Sequence, residues 1–345
     1  MGRTFTLNHT NKAKGLAILL LLIYHLFENE ELIALTEVNY APFSLEGFLT
    51  FTGFGNVCVA IFVFLTAFGI ASGLLAQGEL SPADTYRQAA KRFVRLMVNF
   101  AVLYLSVSLL WWYLFDYQSL YGPGKQGILY LLTDAAGLSM FFDTPTLNET
   151  WWYMEIAYLL IFLVPFLTWL IKKIGYPVLL IAVFFPYLVE IPPDVKRYLF
   201  VAVFGVCAAY GKWPDRLLNL RVHPALQWLI GLLGVVLCVL IRQNYVVYET
   251  YVHLADAPIA LLLIYFGGAL VGSVPILGSV LAFIGKHAMN IYLVHTFFYM
   301  TLWREYIYYF RYAGVTFVLL LGVSLLYSVV LELVKKAVGL KRLLV

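Results

Sequence analysis

Apolar residues dominate the chain in long runs, each closed by a short cluster of charged or turn-forming residues. A helix needs about 20 apolar residues to cross the hydrocarbon core of a bilayer, within a range of about 17–25. Runs near that length occupy 12–28, 56–77, 93–115, 151–171, 176–190, 197–211, 224–242, 255–272, 282–303 and 313–334. Two of them, 176–190 and 197–211, are short, and Pro177, Pro186, Pro192 and Pro193 punctuate that pair. An eleventh stretch, 127–142, is apolar but contains Asp134 and two glycines. No polar linker divides the chain. The pattern predicts an all-α, polytopic helix bundle of about ten transmembrane helices, forming one membrane domain over 1–345.

Composition agrees. Of the 345 residues, 62% are hydrophobic and 12% charged, and the mean hydropathy is +0.85. Soluble domains hold about 45–50% apolar and about 25% charged residues. The surplus apolar surface has to face lipid, so membrane lipids are the first implied partner and nucleic acid is not one. Cys58, Cys207 and Cys238 all lie in apolar runs. They give no disulfide framework and no metal-ligand spacing, and read as small buried hydrophobes. The first run lacks a small-residue cleavage site and is followed by acidic residues, so it reads as a retained span rather than a leader.

Charge sets the threading. Lys and Arg concentrate in cytoplasmic loops. With the N-terminus inside and 127–142 not crossing, 17 of the 23 basic residues fall inside and 6 outside. The inner set includes Lys12, Lys14, Arg92, Arg95, Lys172, Lys173, Lys341 and Arg342. If 127–142 crossed, Lys172 and Lys173 would move outside and every later loop would invert. Both termini are therefore expected on the cytoplasmic side of the cell membrane, with 127–142 a re-entrant or interfacial helix. Trp111–Trp112, Trp151–Trp152, Trp169, Trp213 and Trp303 stand near span ends, as in an aromatic belt.

Ionisable residues inside spans are costly and are functional candidates by default. His25 lies eleven residues beyond Lys14, a rise of roughly 16 Å along a helix. With Lys14 at the inner interface, His25 reaches the middle to outer half of the first span, where an imidazole can serve as general base or as a helix-packing residue. Glu155 is one turn into the fourth span, which enters from outside, so its depth should resemble that of His25. Arg92 and Arg95 share one helical face at the inner start of the third span. They read as interface anchors or as a phosphate clamp. His295 reaches mid-membrane in the ninth span, and Asn290 can hydrogen-bond across helices.

These residues together resemble the membrane-bound acyltransferase family 3. The resemblance rests on a basic residue ten positions before a histidine (Lys14, His25), on Arg-x-x-Arg (Arg92, Arg95), and on the segments NETWWYMEIAYLLIFLVP and FIGKHAMNIYLVH. It covers about 10 to 335. It implies transfer of an acyl group, usually acetyl from cytoplasmic acyl-CoA, to a hydroxyl of a cell-envelope carbohydrate. CoA is then a donor substrate, not a resident cofactor. On this reading His25 and Glu155 are catalytic, and Lys14, Arg92 and Arg95 hold the donor. Trp152, His295 and Asn290 contact substrate. The family's first basic residue is usually arginine, and lysine supplies charge without the bidentate fork. A competing class is a transporter or flippase of an envelope precursor, since membrane His and Glu residues also form proton relays. No internal repeat supports it.

Overall fold

The computed structural model describes residues 2–340, without the side chains of Glu30, Glu31 and Ile33. Lys341 and Arg342, counted above on the inner side, lie outside the described residues. The fold is all-helical; the one β-type contact among the described residues is an isolated bridge between Asn39 and Tyr312. The principal helices are α1 (Leu7–Phe27), α2 (Leu45–Ala76), α3 (Pro82–Leu110), α4 (Gly124–Ala135), α5 (Glu149–Ile174), α6 (Val178–Leu188) and α7 (Pro193–Gly211). They continue with α8 (Pro224–Gln243), α9 (Val247–Ser273), α10 (Pro275–Lys286), α11 (Ala288–Leu302) and α12 (Ala313–Ala337).

Each of the ten predicted runs is helical. Among the described residues, six helices are long and apolar enough to cross a membrane: α2, α3, α5, α8, α9 and α12. The α10–α11 pair makes a seventh if counted as one span. This is fewer than the ten expected, for identifiable reasons. Helix α6 has only 11 residues, a rise of roughly 16 Å. Helices α1 and α7 carry charged side chains in their first turns, among them Lys12, Lys14, Asp194, Lys196 and Arg197. The predicted span 282–303 is not straight either. It bends by 66° between α10 and α11, and α10 lies against the start of α1. Helix α4 has 12 residues, too few to cross.

Helix α1 is the centre of the bundle. His9 Nδ1 accepts the Thr6 backbone N–H at 3.0 Å and so caps its first turn. Ala13, Ala17, Ile18, Leu21, Leu22 and Leu26 along it are buried. Small residues let neighbouring backbones approach closely, the usual basis of tight helix pairing in membranes. A Cβ on Gly15 would collide with the carbonyl of Leu281, and one on Gly285 with the carbonyl of Asn11. The outer helices contrast with this. The apolar stretches of α3 and α12 are 22% buried and that of α8 only 11%, against 61% for α2 and α5. The sparsely buried helices present their apolar faces outward, where a bilayer would cover them.

Contacts fix which helix ends lie together. Gly55, early in α2, packs on Tyr24 and the Leu20 carbonyl. Phe5 meets Phe68, late in α2, ring to ring at 5.7 Å. Asp215, beyond α7, accepts the Phe5 backbone N–H at 2.6 Å, while Tyr198 at the start of α7 stacks on Trp152 at the start of α5. These contacts give the bundle a Phe5–Lys14 end and a His25 end, with α1 running from the first to the second and α2 and α7 running back.

Trp151 departs from the aromatic-belt reading. It is buried, and its indole N–H donates to the Leu293 carbonyl at 2.8 Å. The loop after α4 is pinned by Asp134, 1% exposed. Its carboxylate accepts from Tyr121 (2.6 Å), Ser139 (2.8 Å), Thr146 (2.8 Å) and the Leu147 backbone (2.7 Å).

Candidate functional site

The site is built where α1 ends. His25 lies in its last turn and Glu28 stands one position past it. The i, i+3 spacing puts the two side chains on one face, and His25 Nδ1 makes a short hydrogen bond to Glu28 Oε1. A carboxylate only accepts, so Nδ1 carries the proton and Nε2 keeps the lone pair in the neutral ring. Sequence reasoning missed Glu28, the first of the acidic residues that follow the first apolar run. The signal available was the His-x-x-Glu spacing at a helix end.

Behind His25 stands His295 of α11, with ring centres 5.0 Å apart. His295 is fully buried, its Nδ1 donates to the Tyr292 carbonyl at 2.7 Å, and its Nε2 has no hydrogen-bond partner among the described residues. Among the described residues, the two imidazoles therefore each have Nδ1 held and no hydrogen-bond partner for Nε2.

In front of His25 is a cavity of about 280 Å³. Helix α1 supplies Tyr24 and His25 to its wall and its C-cap supplies Glu28; α2 supplies Asn56, Cys58 and Val59, and α5 supplies Trp152. Asp194, Arg197 and Tyr198 come from α7 and Tyr292 from α11. Trp152 and Tyr198 stack with centroids 6.1 Å apart and planes 19° apart. The Arg197 guanidinium sits 5.5 Å from the Tyr198 ring centre, a cation–π distance. Asn56 bridges the wall: its amide donates to the Tyr24 hydroxyl at 3.1 Å, and its carbonyl oxygen receives Arg197 at 3.4 Å. Concave sites of this kind combine aromatic faces with a few convergent polar groups, which fixes a ligand's orientation. A basic nitrogen beside aromatic faces, an amide, a carboxylate and a guanidinium suits a polyhydroxylated ring that gives up one hydroxyl proton.

Of the residues anticipated from sequence, His25 and Trp152 line this cavity and His295 supports it. Glu155 is not on its wall. The Glu155 carboxylate lies instead beside the backbone of Met140 and Phe141 in the loop after α4. Asn290 is also elsewhere. It is buried against α12, donating to Ser328 at 3.0 Å and to Glu332 at 3.2 Å. Glu332 pairs with Lys335 at 3.1 Å, and Lys335 reaches Asn99 of α3 at 3.2 Å. Asn290 thus ties α11 to α12 in its observed contacts.

Lys14 lies toward the opposite end of α1 and has no hydrogen-bond or ion-pair partner among the described residues. Arg92 is half-buried on α3, and a Cβ on Gly73 of α2 would lie 3.4 Å from its guanidinium. Gly73 is little more than one turn beyond Phe68, which puts Arg92 toward the Phe5 end. Arg95 is one turn further along α3 and exposed. A second cavity of about 680 Å³ opens at that end, between the close of α2, the start of α3 and the close of α5. Tyr86, Trp169, Lys172 and Lys173 line it; His25 does not. It is the larger space, but the His25–Glu28 pair stands at the smaller one. The basic residues and the His25–Glu28 pair thus occupy opposite ends of the bundle.

No curated protein and no solved structure gives a significant match to the chain. A family model described as an acyltransferase domain, Acyl_transf_3, matches residues 11–333. That match runs from the first turns of α1 into the last turns of α12, and it takes in His25, Glu28 and every wall of the His25 cavity. The chain therefore belongs to the membrane-bound acyltransferase family 3.

Proposed function

We propose that the protein transfers an acyl group, acetyl by preference, from cytoplasmic acyl-CoA to a hydroxyl of a cell-envelope carbohydrate, and that His25 is its general base. The observation that carries this reading is the His25–Glu28 pair, which leaves Nε2 as the free edge of a ring lining a polar, aromatic cavity. In the step, Nε2 takes the acceptor hydroxyl proton as the oxygen attacks the acyl carbonyl carbon. The C–S bond breaks, and the thiolate leaves with that proton as CoA thiol. Glu28 stabilises the imidazolium formed between the two proton transfers.

Donor binding at the Lys14 end is supported by Arg92, Arg95, Lys172 and Lys173, since guanidinium and ammonium groups attract phosphates. The acceptor would approach at the His25 end. The same reading has ten crossings of the cell membrane, with α1, α6 and α7 among them, and both termini cytoplasmic. The surplus of basic residues on one side supports that threading, as do the opposite directions of α1 and α2 between the Phe5 and His25 ends.

A deletion strain tests the proposal through the O-acyl ester content of its envelope polysaccharides. Ester content is expected to fall in the deletion strain, to return with the wild-type gene and to stay low with His25→Ala. Unchanged ester in the deletion strain, or full rescue by His25→Ala, overturns it. Protection of the purified protein against heat by acetyl-CoA separates the reading from a transporter, which has no reason to bind CoA.

A further inference from the structure

The His25 cavity has a neighbour. On the other side of Tyr24 lies a more open cavity of about 360 Å³. Tyr24 lines both, so the two spaces share the wall formed by its side chain. The second cavity is formed by the start of α2 and the junction of α8 with α9, elements that contribute little to the reacting groups.

Its chemistry repeats that of the first. Phe54, Tyr245 and Tyr248 add aromatic faces, and Arg242, Gln243 and Thr50 add polar groups. Two of the polar groups are held in place. Arg242 is 2% exposed and pairs through Nε with Asp256 at 2.7 Å, with Nη2 at 3.4 Å from the other carboxylate oxygen. The Gln243 amide donates to the Thr50 carbonyl at 2.7 Å, which leaves its carbonyl oxygen as an acceptor. Tyr245 projects outward at 77% exposure, and Tyr248 is exposed at 43%. An exposed aromatic beside fixed polar groups suits the face of a sugar ring, which is apolar on its C–H side and hydroxylated at its edge.

We propose that this cavity is a second acceptor subsite, and that the acceptor is an oligosaccharide or polysaccharide holding one sugar unit at His25 and the adjoining unit across Tyr24 at Tyr245 and Gln243. The proposal rests on the acyltransferase reading above and narrows its substrate to a linked glycan. The catalytic cavity, about 280 Å³, is walled by α1, α2, α5, α7 and α11, so the linked unit has the Tyr24 side on which to continue. A lone sugar would use only the first subsite and forgo the contacts of the second.

The test uses the full-length protein in detergent with radiolabelled acetyl-CoA. The acceptors are fragments of the source cell's own envelope polysaccharide, stripped of esters by mild alkali and sized into single, paired and longer units. For the wild type, KM is expected to fall about tenfold or more from one unit to two, equivalent to about 1.4 kcal/mol. In Tyr245→Ala and Gln243→Ala the ratio of the two KM values is expected to shrink towards 1. The ratio is internal to each variant, so a loss of folded protein does not alter it, and both side chains are exposed. A wild-type ratio near 1, or a ratio undiminished in both variants, overturns the second subsite while leaving the acyltransferase reading intact. A wild type that acylates no fragment of any size takes down both. A gain seen only when the fragments carry their native lipid anchor, and lost in both variants, would assign the cavity to lipid and also overturn the proposal.

Discussion

The Glu28 carboxylate engages Nδ1 of His25, and that single contact decides which edge of the imidazole is left for chemistry. Glu28→Gln keeps an acceptor oxygen near Nδ1 but removes the charge that stabilises the imidazolium. It is expected to lower kcat at least about tenfold with little change in the KM for acetyl-CoA, whereas His25→Ala should lose about 10²–10⁴-fold. Steady-state kinetics on purified protein check both. Equal and large rises in the KM for acetyl-CoA would place the pair in donor binding instead.

Asp134 gathers four hydrogen bonds while almost fully buried. In Asp134→Asn the new NH₂ group faces hydroxyl and N–H donors where an acceptor was needed. Hydrogen bonds to charged groups contribute about 1.5–3 kcal/mol each. The expected outcome is a loss of at least about that size. It should be visible as a lower Tm and as faster proteolysis between Ala136 and Asn148.

Arg242 and Asp256 form a pair that is 2% and 1% exposed. Removing one partner strands the other charge, which costs about 3–5 kcal/mol in buried pairs. Arg242→Met is therefore expected to destabilise strongly, and Arg242→Met with Asp256→Leu to recover much of the loss. Denaturation of the three proteins in the same detergent measures this. A double variant as unstable as the single one would count against charge burial as the cause.

The backbone contact of α1 with α10 leaves no room at Gly15. Because the obstructing atoms belong to a main-chain carbonyl, Gly15→Val cannot be relieved by a side-chain rotation. A cost at or above about 3 kcal/mol is expected. Gly322, which has open space around its Cβ position, is the matched control, since Gly322→Ala should leave Tm unchanged or raised. Thermal unfolding of both variants decides.

Threading is checked with reporters. A fusion after residue 145 is expected to report the outer side, and one after 174 the cytoplasmic side. The reverse result, or the same side for both, would remove the proposed separation of donor and acceptor ends.

The apolar runs located the helices because the bilayer requirement acts on every residue of a span. Position around a helix was harder to read. Asn290 and His295 share α11, yet five residues turn the helix by roughly 140°. One therefore meets α12 and the other His25. For Glu155, nothing in its run of neighbours tells which way a carboxylate points. Arg197 and Asn56 were invisible for another reason. They reach the cavity only because α2 and α7 pack together, and charge counting treats Arg197 as one more loop cation. Lys14 and His25 were legible because one helix carries both, so their separation is a property of local geometry alone.

The glycine-lined seam between α1 and α10 also bears on how the enzyme could move. Main chain pressed on main chain resists both sliding and rotation, so α1 behaves as a fixed mast with His25 near its top. Any opening that admits donor or acceptor has to come from elements hinged around that mast. The sparsely buried α3 and α8 are the natural shutters, one beside the basic end and the other beside Tyr24.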